Sequence, residues 1–173
     1  MDFTAHSKRD FPPVRWVFCS LWRWLAFGLG TGLLRPGPGT WGTVLAWGMW
    51  LLGLQNLPGS ALAILIIVSF VFGCWLCDRV GREIGIEDHS GINWDEWVAF
   101  LLVLACIPAA FAWQVVAFVL FRFFDIAKPA PIRQVDRQLK GGVGVMVDDI
   151  LAAFYALLGV WVIYYLVAAF GIQ

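Results

Sequence analysis

Charged side chains are scarce in this sequence. Asp, Glu, Lys and Arg make up 14% of the 173 residues, while apolar types make up 61% and the mean hydropathy is +0.78. Soluble domains usually contain about 25% charged and 45–50% apolar residues, so the composition indicates a membrane protein. The net charge is zero, which argues against a basic surface for nucleic acid. The bilayer is therefore the expected partner.

Histidine and cysteine are also few. The four cysteines lie in or beside apolar runs, so we expect neither a disulfide framework nor a cysteine nucleophile. Cys74 and Cys77 form a C-x-x-C pair, but no second pair completes a zinc site. His6 falls in a tail that we expect to be disordered, which excludes a mechanism with two catalytic histidines. His89 is interpreted as a polar loop residue.

The sequence lacks a recognisable secretory leader, since prolines precede the first apolar stretch and no small-residue cleavage site follows. We interpret residues 1–13 as a polar tail and residues 14–173 as a single membrane domain. Arg15 and Arg23 interrupt the stretch Val14–Leu34. Each would cost about 2.5–3.5 kcal/mol at the middle of a bilayer, so an interfacial helix is predicted there instead of a span.

Longer apolar runs fill most of the remaining chain. They are Trp41–Leu54, Ala61–Cys77, Trp97–Leu120 and Asp149–Phe170. The second run is expected to continue as helix to Gly85. A bend at Pro108, within the third run, brings every charged segment to one face of the membrane. By the positive-inside rule that face is cytoplasmic.

The stretch Gly30–Thr43 contains five glycines and two prolines, which excludes regular helix. We expect a loop that leads into a helix, with Thr40 or Thr43 as its cap. Free N–H groups at such a terminus attract phosphate, although a plain turn before a helix explains the same residues.

The stretch Phe121–Asp149 holds five of the twelve basic and four of the twelve acidic residues. Arg122 and Asp125 are three positions apart and share a helix face. Glycines at positions 141, 142 and 144 allow close backbone approach to a ligand. They are expected to place Asp148 and Asp149 at the start of the next helix, where acids also simply complement the dipole.

Five carboxylates would converge at this membrane edge: Asp95, Glu96, Asp125, Asp148 and Asp149. Such a cluster attracts a divalent cation, and oxygen-only ligands favour Mg²⁺. We assign the metal to Asp95, Glu96 and Asp149. Asp125 or Asp148 would support them or act on the water, and the general base is left open.

Cations close to these acids can bind phosphate. Arg122, Lys128 and Arg133 are the candidates, together with Thr40 and Thr43 from the glycine-rich loop. This combination predicts metal-assisted phosphate chemistry on a lipid head group. The competing hypothesis is a non-enzymatic ion-binding or transport component, which would instead place acids in the middle of a span.

Three blocks of the sequence resemble the phosphatidylglycerophosphatase A family. They are RPGPGTWGT at Arg35–Thr43, INWDEW at Ile92–Trp97, and FRFFDIAKPAPIRQVD followed by GGVGVMVDD within Phe121–Asp149. The resemblance extends over most of the chain after residue 30, and its last block is very specific.

This resemblance implies a Mg²⁺-dependent phosphatase of the bacterial inner membrane that converts phosphatidylglycerophosphate to phosphatidylglycerol, on the route to cardiolipin. It also implies an all-α fold, a polytopic helical bundle whose central helix is packed by the others. The positions that match the family's functional candidates are Thr40, Asp95, Glu96, Arg122, Asp125, Lys128, Asp148 and Asp149. The oligomeric state is not predicted.

Overall fold

Helices supply the regular structure in the computed structural model, which describes residues 3–8 and 10–171, without the side chain of Asp136. The α-helices of the described chain are α1 (Val14–Phe18), α2 (Leu21–Ala26), α3 (Pro38–Leu52), α4 (Gly59–Ile84), α5 (Trp94–Ala105), α6 (Phe111–Ala127), α7 (Ile132–Gln138) and α8 (Gly141–Ala169). Short 3₁₀ helices span Gly28–Leu33 and Leu54–Asn56. The described residues include no strand, so the all-α prediction is confirmed.

The central helix is α5, which contacts α3, α4, α6 and α8. Eight of its twelve residues are buried. Phe100, fully buried, packs on the ring of Phe121 from α6 with centroids 5.5 Å apart. Burying large aromatic side chains of this kind dominates the stability of such a core.

A bend separates α5 from α6, as Pro108 predicts. Glu96 lies in the first turn of α5, and Arg122 lies near the end of α6. Their side chains are nevertheless 3.8 Å apart, so the chain turns back on itself between the two helices. The bend therefore brings two charged segments of the sequence together.

Helices α4 and α8 approach each other closely. A Cβ atom on Gly142 would lie 1.9 Å from the carbonyl oxygen of Cys74 and 2.6 Å from the backbone nitrogen of Asp78. Only glycine permits this contact. Residues 141–144 belong to α8, so the helix begins seven residues before Asp148. The prediction that Asp148 and Asp149 begin a helix is wrong, because both lie in the third turn of α8.

The first part of the domain is less regular than predicted. The prediction of a single interfacial helix over Val14–Leu34 is wrong. The chain is extended at Ser20 and then has positive φ angles at Gly28, Leu29 and Gly30. Three short helical segments result. They give the chain sharp changes of direction that an apolar pattern alone does not encode.

The N-terminal segment, as we call residues 3–8 and 10–13, packs on the bundle, contrary to the expected disordered tail. Ala5 is buried, and its N–H donates to the carbonyl oxygen of Ile84 over 2.9 Å. Lys8 forms an ion pair with Asp88 in the loop before α5. The segment is thereby attached to the end of α4 and to that loop.

The start of α3 also differs from the prediction. The helix begins at Pro38, after Gly37 in the left-handed conformation (φ 71°), and no side chain caps it. Thr43 lies in the second turn and donates to the carbonyl oxygen of Gly39. The end of α4 agrees with the sequence, because Gly85 (φ 86°) stops it.

Helices α4 and α8 are long and apolar enough to cross a membrane. On α4, Ile64, Ile67, Val68 and Val71 are each about 60% exposed and lie on one face. A contiguous exposed apolar face is unusual on a soluble monomer and fits contact with lipid.

Candidate active site

The acidic pocket, as we call it, lies where the first turn of α5, the third turn of α8 and the end of α6 meet. It has a volume of about 310 Å³ and also borders the start of α3. Most of the predicted site residues line it: Thr40, Asp95, Glu96, Arg122, Asp125, Lys128, Asp148 and Asp149. Five carboxylates from three helices thus converge, as the sequence predicts.

Asp95, Glu96 and Asp149 form the core of the pocket. One carboxylate oxygen from each lies within 4.8 Å of those from the other two. Asp95 is 6% exposed and Asp149 is 3% exposed. Oδ1 of Asp95, Oε2 of Glu96 and Oδ2 of Asp149 are buried and have no hydrogen-bond partner among the described residues.

This arrangement fits a hard divalent cation. Buried carboxylates repel one another and are costly to leave uncompensated. A cation between them would offset this repulsion, and a donor set made only of carboxylate oxygens suits Mg²⁺ better than zinc or copper. The residues present therefore fit the metal that the sequence predicts.

Arg122 lies at the edge of the three acids. Its Nη1 is 2.8 Å from Oδ2 of Asp125 and 3.8 Å from Oε1 of Glu96, and it also donates to Oγ1 of Thr43 over 3.4 Å. The side chain is only 12% exposed. Asp125 and Thr43 therefore fix the direction of the guanidinium group, which confirms that Arg122 and Asp125 share a helix face.

Lys128 follows the last residue of α6 and has a left-handed backbone conformation (φ 41°), which is uncommon for a residue with a side chain. Its ammonium group pairs with Asp148 of α8. This contact connects α6 to α8 and brings a second cation to the acidic pocket.

The first turn of α3 closes another side of the pocket. A Cβ atom on Gly39 would lie 1.9 Å from Oε1 of Glu96, so only glycine lets the backbone approach this carboxylate. The first N–H groups of a helix have no acceptor within the helix and favour anions. Thr40 adds a hydroxyl at the same position.

Two predicted phosphate-binding residues lie outside the pocket. Arg133 is exposed on α7 and is not among the residues that line the acidic pocket. Thr43 is fully buried and contacts Arg122 instead of the open space. Sequence reasoning missed Gly39, whose role depends on contact with Glu96 across the fold, and Asp88 and Ser90, which line the pocket from the loop before α5.

His89 has a structural role away from the acids. Its ring is buried, Nδ1 accepts from the N–H of Gly91 over 3.0 Å, and Nε2 lies 3.2 Å from the carbonyl oxygen of Asp10. Burial lowers the pKa of His89 below its usual value of 6.5. The neutral ring joins the loop before α5 to the N-terminal segment.

Comparison with known proteins is consistent with this site. A family model described as phosphatidylglycerophosphatase A matches residues 24–164. A relative of that name from Haemophilus influenzae is 44% identical over 142 residues, which are 82% of this chain and 87% of the relative. Another of that name from Escherichia coli is 35% identical over 145 residues, which are 83% and 84% of the two chains.

A third relative bears a different name. This protein, from Bacteroides thetaiotaomicron, is provisionally named phosphatidylinositol-3-phosphatase and is 38% identical over 136 residues, 75% of this chain and 84% of its own. No solved structure matches the chain significantly. The matched region contains all the acids of the pocket, and the chain belongs to the phosphatidylglycerophosphatase A family.

Proposed function

We propose that the protein is a Mg²⁺-dependent lipid phosphatase that hydrolyses phosphatidylglycerophosphate to phosphatidylglycerol and inorganic phosphate. The observation that carries this proposal is the group of three carboxylates, each with one buried oxygen that lacks a hydrogen-bond partner among the described residues. They line a pocket that Arg122 and Lys128 also line. The names of two relatives support the choice of substrate.

Asp95, Glu96 and Asp149 would hold the metal. When bound, Mg²⁺ supplies positive charge close to the phosphoryl group under attack. The three ligands come from α5 and α8, so the packing of these helices fixes their separation. This preorganisation avoids the cost of gathering the ligands during the reaction.

Arg122 and Lys128 would bind the terminal phosphate. A guanidinium group offers two parallel N–H donors that match two phosphate oxygens, whereas an ammonium group acts as a point charge. The first turn of α3 with Thr40 would contact the remaining oxygen. Asp125 holds Arg122 in place and so acts on the substrate through it.

The reaction needs one proton acceptor and one proton donor. Water attacks phosphorus and gives a proton to a carboxylate, the bond from phosphorus to the terminal glycerol oxygen breaks, and that oxygen takes up a proton from the carboxyl group or from solvent water. Asp125 and Asp148 line the pocket beside the three acids, and we propose one of them as the group that receives the proton from water.

We further propose that the protein is a multi-pass component of the bacterial inner membrane with its acidic pocket on the cytoplasmic side. The length and apolar composition of α4 and α8, with their exposed apolar side chains, support a place in the membrane. The collection of charged segments at one face supports the orientation. Its product would supply phosphatidylglycerol and cardiolipin synthesis.

A second substrate is favoured by the third relative's name, which assigns it a phosphoinositide. Both lipids carry a phosphate monoester on a head group that is joined to diacylglycerol through a phosphodiester. The acidic pocket would receive the monoester of either one, so the substrates must be compared directly.

The test is phosphate release by the purified protein in mixed micelles. We expect hydrolysis of phosphatidylglycerophosphate with Mg²⁺, its loss on addition of EDTA, and recovery when Mg²⁺ is restored. Phosphatidylinositol 3-phosphate should be cleaved with a lower kcat/KM. A higher kcat/KM for the phosphoinositide would reverse the substrate assignment, and full activity in EDTA would exclude the metal dependence.

A further inference from the structure

A second cavity, which we call the cationic groove, adjoins the acidic pocket and has a volume of about 620 Å³. Part of its wall does not border the acidic pocket and consists of Lys8, Phe11, Arg35 and Pro36. Gly37, Pro38 and Ser90 are walls of both cavities. A ligand that fills the acidic pocket can therefore extend directly into the groove.

Arg35 is the main cation of the groove. Its guanidinium carbon lies 4.0 Å from the centre of the Phe11 ring, and its side chain makes no ion pair with any described residue. The Phe11 ring packs in turn against His89, with centroids 5.3 Å apart. The aromatic contact restricts the side chain of Arg35 without neutralising its charge.

Lys8 is the second cation, and the packed N-terminal segment places it there. Its ammonium group pairs with Asp88, and its carbonyl oxygen accepts a hydrogen bond from Ser90. Because Asp88 shares the charge of Lys8, an anion would gain less from Lys8 than from Arg35. Both residues remain exposed to solvent.

We propose that the cationic groove binds the phosphodiester of the lipid substrate, with Arg35 as its principal ligand and Lys8 as a weaker one. This inference rests on the proposed function, which places the terminal monoester beside Asp95, Glu96 and Asp149. A three-carbon glycerol unit separates the two phosphates of that lipid, so the second phosphate must lie in a space next to the acidic pocket.

Charge and surface character both match this occupant. The diester carries one negative charge, and the groove offers a guanidinium group that has no acidic partner among the described residues. Phe11, Pro36 and Pro38 supply apolar walls for the carbon atoms on either side of the phosphate. The groove would thus distinguish a lipid with two phosphates from a simple phosphate monoester.

The test compares ligands that fill one cavity each. Phosphatidylglycerol carries only the diester, and inorganic phosphate resembles only the monoester. For Arg35→Gln we expect the inhibition constant of phosphatidylglycerol and the KM of the substrate to rise about 3- to 10-fold, as for loss of a partly exposed charge-assisted contact. Inhibition by inorganic phosphate should stay unchanged.

Two further variants sharpen the result. Lys8→Gln should show a smaller change in the same direction, and Arg35→Lys should recover part of the loss. Arg137→Gln serves as the matched control, because Arg137 is an exposed cation that lines a different cavity. An equal loss in Arg137→Gln would show a general effect of surface charge and would overturn the proposal, as would unchanged constants in Arg35→Gln.

Direct binding separates this inference from the proposed function. Calorimetric titration of the Asp149→Asn protein with short-chain phosphatidylglycerol needs no turnover, and short-chain diacylglycerol, which lacks the phosphodiester, is the comparison lipid. Weaker binding in the Arg35→Gln background supports the groove even if wild-type protein releases no phosphate. Equal binding of both lipids, or no effect of Arg35→Gln, excludes the groove even if the phosphatase activity is confirmed.

Discussion

Asp149 is a buried carboxylate in an apolar helix, and one of its oxygens has no hydrogen-bond partner among the described residues. Keeping such a group charged beside Asp95 and Glu96 opposes folding unless a cation is bound. Function and stability therefore make opposite demands on this side chain, which is common at catalytic sites.

Asp149→Asn should lose Mg²⁺-dependent activity by at least about 100-fold, a loss of roughly 2.7 kcal/mol or more. The protein should remain folded and should melt at the same or a higher temperature without Mg²⁺, because a repulsive charge is removed. Thermal unfolding with and without Mg²⁺ checks this independently of turnover, since Mg²⁺ should raise Tm only for the wild type.

Asp78→Asn is the control for this measurement, because Asp78 forms an exposed ion pair with Arg82 that contributes little. It should keep both the activity and the Mg²⁺-dependent rise in Tm. Normal turnover by Asp149→Asn at low Mg²⁺ would contradict the assignment of this ligand.

Arg122 provides a second test at the scale of a single residue. Asp125 and Thr43 hold its guanidinium group in one orientation, which an ammonium group cannot reproduce. Arg122→Lys should therefore lower kcat/KM by about 30- to 1000-fold, as expected for a contact worth roughly 2–4 kcal/mol in the transition state.

Arg133→Ala is the informative comparison, because Arg133 is exposed on α7 and lies outside the acidic pocket. We expect its kcat/KM to change by less than about fivefold, which corresponds to about 1 kcal/mol. A larger loss in Arg133→Ala than in Arg122→Lys would restore the sequence-based role of Arg133 and exclude the proposed clamp.

At the scale of the helix, two glycines of α3 form a matched pair. A Cβ atom on Gly39 would lie 1.9 Å from Oε1 of Glu96, whereas one on Gly48 would meet nothing within 4 Å. Gly39→Ala should displace Glu96 and reduce activity and Mg²⁺ affinity at least tenfold, which corresponds to about 1.4 kcal/mol. Gly48→Ala should keep activity and gain about 0.5–1 kcal/mol of stability. Kinetics and thermal unfolding of both variants provide the check, and equal activity of the two would show that α3 does not form a wall of the site.

The free energy of unfolding should depend on pH through His89, which lies in the loop before α5. The neutral ring accepts from Gly91 and donates to Asp10, and protonation of Nδ1 would remove an acceptor. Because burial lowers the pKa of His89 from 6.5, the unfolded chain takes up the proton more readily than the folded protein. The free energy of unfolding should therefore fall as the pH decreases below about 6.5.

This prediction requires a reference variant, since other acids also titrate. His89→Gln cannot take up the proton, so the difference in Tm between wild type and His89→Gln at pH 8 should shrink or reverse at pH 5.5. A difference in Tm that does not vary with pH would assign the effect to other groups.

Sequence patterns predicted the long elements well and the short ones poorly. Pro108 and Gly85 mark real boundaries, because each imposes a backbone preference that no distant contact overrides. Gly142 misled the prediction, since its contact with Cys74 of α4 makes glycine favourable inside a helix. The breaks within Val14–Leu34 depend on packing against the rest of the bundle, which no local pattern records.

For the whole molecule, the bend between α5 and α6 predicts that all charged loops face the cytoplasm. Single cysteines at Ala109, in the bend, and Arg133, on α7, test this in a background without the four native cysteines, two of which are exposed. Arg133→Cys should react with an impermeant maleimide only in inverted vesicles. Ala109→Cys should react only in intact spheroplasts or remain shielded. Labelling of Arg133→Cys from outside would contradict the prediction, because it would mean that the proposed ligands lie on opposite sides of the membrane.

The candidate site was largely predictable, because its acids lie in short blocks that the bend at Pro108 brings together. Asp95, Glu96 and Asp149 meet as the sequence indicated. The cationic groove was not predictable, since it requires Lys8 and its neighbours to pack on a loop about eighty positions away. A polar segment with two prolines carries no periodic pattern that would report such a contact.

The cationic groove draws part of its wall from the beginning of the chain. The acids fall within the region that the family model matches, from residue 24 onwards, whereas Lys8 and Phe11 precede it. Arg35, the main cation of the groove, lies inside the matched region with the acids. Shortening the chain before Phe11 should therefore remove one wall of the groove and leave both Arg35 and the hydrolytic acids in place.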